Sequence, residues 1–119
     1  MLSVTRHRVP PDVSDRFLSD AQAAVDLLRQ RPGFEGATIG RATDDASLWV
    51  VTTAWADVGS FRRALSSYEV KIGAVPLLAT AIDEPTAFER LVVADDRGVH
   101  LRGSDRAADA DTSGPPGYP

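Results

Sequence analysis

The sequence contains no cysteine, no asparagine and a single lysine, Lys71. The lack of cysteine excludes disulfides, thiolate metal sites, cysteine-held iron–sulfur clusters and cysteine nucleophiles. Long apolar runs are also missing. No stretch of about 18 apolar residues, the length that spans a membrane, occurs in the sequence, and no charged N-terminal segment leads into the apolar region of a signal peptide. We therefore expect a cytoplasmic protein without a membrane partner.

Positive charge is the minority sign, with 13 Lys and Arg against 17 Asp and Glu. Binding to a phosphate backbone draws on clustered Lys and Arg, and no basic stripe occurs in this chain. The predicted strands also lack the paired aromatic and basic residues that stack RNA bases. These features exclude a nucleic-acid partner, and the length of 119 residues fits one soluble domain with a modest core.

Hydrophobic periodicity predicts the element order β-α-β-β-α-β. A strand over 2–9 precedes a helix with its apolar residues at helical spacing. A hairpin over 34–57 and a second helix after Asp57 follow, and 81–93 supplies the last strand, with Pro85 suggesting an edge position or a bulge. This order predicts an α+β, ferredoxin-like βαββαβ fold, in which an antiparallel four-stranded sheet carries two helices on one face.

The chain changes character near residue 95. Residues 95–119 are rich in Asp, Gly, Ser, Ala and Pro and poor in large apolar residues. Such composition buries too little apolar surface to fold. We therefore predict a domain over 1–94 and a flexible tail over 95–119.

The strand "LWVVTTAW" places Trp49 and Trp55 on one face, because side chains alternate with a period of two. Its opposite face is also largely apolar, and a strand that is apolar on both faces is buried on both sides. Two helices cover only one face of the sheet. We therefore expect a symmetric homodimer joined through the sheets, the alternative being a tail folded over that face.

Four segments resemble the antibiotic biosynthesis monooxygenase (ABM) family of the dimeric α+β barrel superfamily: "RPGFEGATIGRATDD", "LWVVTTAWAD", "VGSFRRALSSYEV" and "TAFERLVV". The resemblance covers roughly residues 1–94 and implies a homodimer whose sheets form a barrel, with a pocket between sheet and helices. Known members include cofactor-independent oxygenases that turn aromatic polyketide phenols or anthrones into quinones, and enzymes that degrade haem. The resemblance therefore implies a cofactor-independent monooxygenase acting on a flat, hydrophobic, phenolic or polyketide-like molecule.

The resemblance also assigns ligand-binding positions. Trp55 corresponds to the tryptophan that lines the pocket, and Trp49 lies at the hairpin end of the same face, as packing or as pocket rim. Phe61 stands where the quinone-forming branch has a tyrosine, and Leu65 where the haem-degrading branch has its axial histidine. Both branches use an asparagine, which this chain lacks. A non-catalytic small-molecule-binding or regulatory protein on the same scaffold is therefore the alternative function, with haem degradation third.

His7 and Tyr68 are the candidate catalytic residues. A pocket histidine takes the proton from a phenol near neutral pH and leaves an electron-rich anion that reduces oxygen, although His7 also fits a hydrogen-bonded structural role. The helical pattern places Tyr68 on the apolar stripe of the second helix, where its ring packs and its hydroxyl reaches a ligand. The only other histidine, His100, lies in the predicted tail, so we expect no metal site. The resemblance to cofactor-independent oxygenases implies that no cofactor is needed.

Overall fold

The computed structural model describes residues 1–103. The chain divides into two compact units, of which the first is Met1–Phe88 and the second begins at Glu89. The first unit holds four strands and four helices, in the order β1 (Leu2–Arg8), α1 (Ser14–Leu28), β2 (Phe34–Arg41), β3 (Leu48–Trp55), α2 (Val58–Ser66), α3 (Tyr68–Gly73), α4 (Val75–Leu78) and β4 (Ala87–Phe88), with a 3-10 turn at Pro11–Val13 before α1.

The four strands form one antiparallel sheet in the order β2-β3-β1-β4. The first and third strands are the central neighbours, which is the ferredoxin-like arrangement and confirms the predicted fold class. The register of the central pair places His7 opposite Trp49 and Leu2 opposite Ala54. This register decides which side chains meet on the helix-covered face.

Side chains alternate along β3 between buried and half-buried positions, as the period of two predicts. The buried face packs against the helices, and α1 contributes its residues at helical spacing, which are Phe17, Ala21, Ala24 and Leu28. Two apolar clusters result, one around Trp55 and the other around Trp49 and Phe17. The tryptophan face is therefore core, and the opposite face of the sheet has no helix on it within this unit.

Two elements of this unit differ from the sequence prediction. The second helix ends at Ser66, because Ser67 is extended with ψ 148° and α3 starts anew at Tyr68. The last strand shrinks from 81–93 to Ala87–Phe88, on the edge of the sheet. Pro85 has no N–H to donate, and only isolated backbone bonds, such as Ile82 N–H to Arg6 O at 2.7 Å, hold the preceding chain along β1.

The second unit contains a two-stranded hairpin, β5 (Val92–Asp95) and β6 (Gly98–Leu101), where a flexible segment was predicted from residue 95. Asp95 accepts a hydrogen bond from the Arg97 backbone N–H at 2.8 Å, and Gly98 adopts φ 151°, so the turn is closed locally. The rest of the predicted tail, 104–119, lies outside the described residues. The domain boundary at 94 stays a prediction.

Among the helices within residues 1–103, none combines the length and apolarity of a membrane span. The cytoplasmic location stays a prediction.

Candidate functional site

His7 lies on β1 and is 1% exposed, so its ring is inside the protein. Its two nitrogens each meet a threonine hydroxyl, with Nδ1 3.0 Å from Thr80 Oγ1 and Nε2 2.8 Å from Thr5 Oγ1. The Phe17 ring lies against the imidazole, with the centroids 5.2 Å apart. Burial lowers the pKa of His7 below its ordinary value of 6.5, because a charged imidazolium loses its hydration there. Burial therefore favours the neutral form of the ring.

A cleft of about 530 Å³ lies between α1 and the α3–α4 segment. Its volume is that of a site for a small organic ligand. Most of the lining is apolar and three side chains are polar, the set being Val13, Arg16, Phe17, Asp20, Ala23, Gly73, Pro76, Leu77 and Thr80. The cleft thus combines an apolar lining with a few polar groups, which is the composition of small-molecule sites in general.

One face of α1 supplies half of this lining. Val13 and the lining residues of α1 recur three and four positions apart, so they project to the same side. Arg16 and Asp20 form an ion pair at 3.9 Å and are largely exposed. Gly73 brings α3 close to α1, because a Cβ there would stand 2.2 Å from Leu27 Cδ1. The cleft therefore combines an apolar wall with a charged, solvent-facing pair.

Two residues connect this cleft to His7. Phe17 and Thr80 both line the cleft and both contact the imidazole. Thr80 is exposed, whereas His7 is not. A ligand in the cleft would therefore reach the Thr80 hydroxyl, and the imidazole only through it.

Trp55 is completely buried in the other apolar cluster. Its indole Nε1 donates to Thr53 Oγ1 at 2.8 Å, and its ring contacts Phe34 edge-on at 5.3 Å and Phe61 at 5.9 Å. Leu65 packs against the same cluster. The structure thus brings together Trp55, Phe61 and Leu65, but as packed side chains that do not line the cleft.

Trp49 lies at the end of β3 away from Trp55, where it pairs with His7 of β1. Its ring packs on Phe17 at 5.4 Å, and the Arg41 guanidinium lies 5.2 Å above its centroid. The buried indole N–H of Trp49 has no hydrogen-bond partner among residues 1–103. Six residues at about 3.3 Å each separate Trp49 from Trp55, or about 20 Å. His7, which pairs with Trp49, therefore lies far from Trp55.

Tyr68 is the first residue of α3 and is 74% exposed. The expectation that its ring packs on the apolar stripe of the second helix is wrong, because the helix breaks at Ser67 and the spacing from Phe61 is no longer helical. The structure does not bring Tyr68 to the described cleft.

Sequence reasoning missed three polar side chains of the cleft: Arg16, Asp20 and Thr80. The four-residue spacing of Arg16 and Asp20 beside Phe17 indicates a charged, exposed pair next to the core face of α1. No sequence pattern predicted Thr80 as a site residue, since it follows a four-residue helix and contacts His7, which is 73 positions away in the sequence.

A family model for antibiotic biosynthesis monooxygenases matches residues 1–73. No curated protein matches the chain. Among solved structures, an asparagine-to-alanine variant of SnoaB, a cofactor-independent oxygenase from Streptomyces nogalater, is 28% identical over 76% of this chain and 94% of its own, with a TM-score of 0.60.

Two more distant structures share the fold. A conserved protein from Methanosarcina mazei Go1 is 19% identical over 72% of this chain and 84% of its own, with a TM-score of 0.59. Rv0793 from Mycobacterium tuberculosis is 12% identical over 90% of this chain and 96% of its own, with a TM-score of 0.57. Since the family model covers more than half of the sequence, the chain belongs to the antibiotic biosynthesis monooxygenase family.

Proposed function

We propose that this protein is a cofactor-independent monooxygenase for a flat, hydrophobic, phenolic or polyketide-like molecule that binds in the cleft between α1 and α3–α4. The observation that carries the proposal is the 3.0 Å contact between Thr80 Oγ1 and His7 Nδ1, which joins an apolar cleft to a buried neutral base. Family membership and the similarity to SnoaB, a cofactor-independent oxygenase, support the reaction class.

The chemistry needs a base and oxygen. Removal of a proton from a phenol or an anthrone leaves an electron-rich anion, which reduces molecular oxygen directly. Oxidation of an anthrone methylene to the quinone carbonyl then consumes one oxygen molecule and releases one water molecule, so no external reductant is required. In this proposal His7 receives the proton, and the apolar side chains Phe17 and Leu77 hold the flat ring system.

Oxygen uptake with a dihydroxyanthrone tests this function. The wild-type protein should consume oxygen and form the quinone above the rate without protein, and His7→Gln should lower that rate about a hundredfold, the usual contribution of a positioned base. Thr43→Val, at an exposed threonine before β3, is the matched control and should keep the wild-type rate. A wild-type rate equal to the rate without protein would contradict the proposal.

A second candidate is a non-catalytic binding or regulatory protein on the same scaffold. Trp55 is fully buried rather than exposed to a ligand, and the chain has no asparagine, so the family positions named by the resemblance do not meet around the cleft. A dihydroxyanthrone that binds in the cleft and is recovered unchanged under oxygen would favour this function.

Haem degradation fits the described residues poorly. An axial ligand is usually a neutral histidine with a free nitrogen. Both nitrogens of His7 are engaged by threonines and the ring is buried, while Leu65 has no ligating atom. A purified protein that shifts the Soret band of haemin would argue against this conclusion.

We further propose a homodimer through the helix-free face of the sheet. Leu2, Val4, Val50 and Ala54 are half-buried there, and Phe88 of the paired edge strand is 44% exposed. A second copy that buries this face would remove its apolar area from water. Sedimentation should give a dimer at micromolar concentration and a monomer for Val50→Asp; a monomeric wild-type protein would contradict the dimer.

A further inference from the structure

The Thr80 hydroxyl lies between a carbonyl oxygen, which accepts a hydrogen bond, and a ring nitrogen of His7, which accepts or donates according to the tautomer. Its Oγ1 lies 2.7 Å from the Leu77 carbonyl oxygen and 3.0 Å from His7 Nδ1. A hydroxyl has one hydrogen and two lone pairs, so Thr80 donates to one of these groups at a time. When it donates to Leu77, Nδ1 must carry a hydrogen and donate to Thr80; when it turns to Nδ1, that nitrogen is the acceptor.

Thr5 provides the same choice on the other side of the ring. Its Oγ1 lies 2.8 Å from His7 Nε2 and 3.4 Å from the Val51 carbonyl oxygen. The two hydroxyls therefore accommodate either neutral tautomer of His7. They also accommodate the imidazolium, in which Nδ1 donates to Thr80 and Nε2 to Thr5, while each hydroxyl donates to its carbonyl. Every donor keeps an acceptor when the ring gains a proton.

We propose that Thr80 passes a proton from an acidic hydroxyl of the cleft ligand to His7. The ligand O–H bond breaks and its proton bonds to Thr80 Oγ1, while the original Thr80 hydrogen moves to Nδ1. The products are a phenolate and the His7 imidazolium, with atoms and charge balanced. The inference deepens the proposed function and rests on it for the oxygen step alone.

The surroundings fit a proton that enters from the cleft. His7 is 1% exposed, so a ligand does not touch the imidazole and Thr80 is the catalytic residue, with His7 acting through it. Phe17 from α1 lies against the imidazole, and Trp49, the β3 residue paired with His7 in the sheet, packs on Phe17. The charged groups of the cleft are Arg16 and Asp20, and the Arg16 guanidinium is the cation available to a phenolate.

Nitrogen-15 NMR of the histidines, without oxygen, tests the relay separately from oxygenation. A nitrophenol is the probe, and its binding is followed independently by equilibrium dialysis. In the wild-type protein, saturating nitrophenol should raise the imidazolium fraction of His7, because the bound phenolate offsets the burial that disfavours the charged ring in the free protein. The His7 signals are identified by their absence in His7→Gln.

Thr80 variants decide whether the hydroxyl carries the proton. Thr80→Ser should behave as wild type, because it keeps the hydroxyl, whereas Thr80→Val should bind the probe and leave His7 neutral. In the aerobic assay the valine variant should lose about a hundredfold in rate and the serine variant should restore it.

The outcomes separate the two proposals. Three results would each overturn the relay: His7 gains a proton in Thr80→Val, His7 stays neutral in the wild-type protein with probe bound, or the probe does not bind. Conversion of His7 in the wild-type and serine proteins but not in the valine variant, without oxygen uptake on any anthrone, would establish the relay and contradict the monooxygenase function.

Discussion

The two tryptophans of β3 offer a matched test of the packing described above. They lie on one face of one strand, both are almost fully buried, and both contact an aromatic ring. Their indole N–H groups differ. Trp55 Nε1 donates to buried Thr53, while the N–H of Trp49 meets no acceptor within residues 1–103.

The substitutions Trp55→Phe and Trp49→Phe remove the same atoms from both sites. Trp55→Phe loses a hydrogen bond and leaves the buried Thr53 hydroxyl without its donor, which costs about 1 to 3 kcal/mol beyond the lost ring packing. Trp49→Phe removes an unsatisfied buried donor, a gain that roughly offsets the lost contact with Arg41 of about 0.5 to 1 kcal/mol. We therefore expect Trp55→Phe to be the more destabilising variant by about 2 kcal/mol.

Urea unfolding followed by far-ultraviolet circular dichroism measures this difference, because the tryptophan fluorescence itself changes in both variants. With a denaturant slope of about 2 kcal/mol per molar urea, the unfolding midpoints of the two variants should differ by about 1 M. Both must be measured at one protein concentration, since association adds to stability. Equal midpoints, or a lower midpoint for Trp49→Phe, would refute the assignment of these hydrogen bonds.

Two further predictions concern the turns at the ends of the hairpin. Gly33 has φ 88°, and a Cβ there would stand 2.3 Å from Ser60 Oγ, so Gly33→Ala should lower the free energy of unfolding by about 1 to 3 kcal/mol. The control Gly36→Ala, with open space around its Cβ, should change that free energy by less than about 1 kcal/mol. Equal losses of stability in urea unfolding would contradict this prediction. Hydrogen bonds from Arg8 and Ser47 lower the pKa of Asp45 to about 2, so its carboxylate stabilises the fold above its ordinary pKa of 3.8, and this contribution is lost as pH falls toward about 2. The gap in melting temperature between wild type and Asp45→Asn should therefore close over that range, and a gap independent of pH would disprove the link.

Much of the fold was predictable because it depends on local periodicity. Helical spacing on α1 identified the residues that are buried, and alternation along β3 identified the tryptophan face as the one that packs on the helices. The cap of the second helix was also readable, since Asp57 accepts a hydrogen bond from the Ser60 backbone N–H at 2.7 Å.

The site was less predictable because it depends on register and on chain breaks. Sequence alone did not decide that His7 pairs with Trp49, about 20 Å along the strand from Trp55. The break at Ser67 turned Tyr68 outward, although its spacing from Phe61 was helical. The contact between His7 and Thr80 joins residues 73 positions apart. It depends on the tertiary structure, so no local sequence pattern predicts it.

We propose that the ligand binds in the cleft between α1 and α3–α4 and not at the Trp55 cluster. Proton–nitrogen correlation spectra of the protein, titrated with a dihydroxyanthrone in the absence of oxygen, test it most directly. We predict that the backbone amides of Ala23, Gly73, Leu77 and Thr80 shift while the indole N–H of Trp55 stays in place. A shift of the Trp55 indole with unchanged cleft amides would contradict this location of the ligand site.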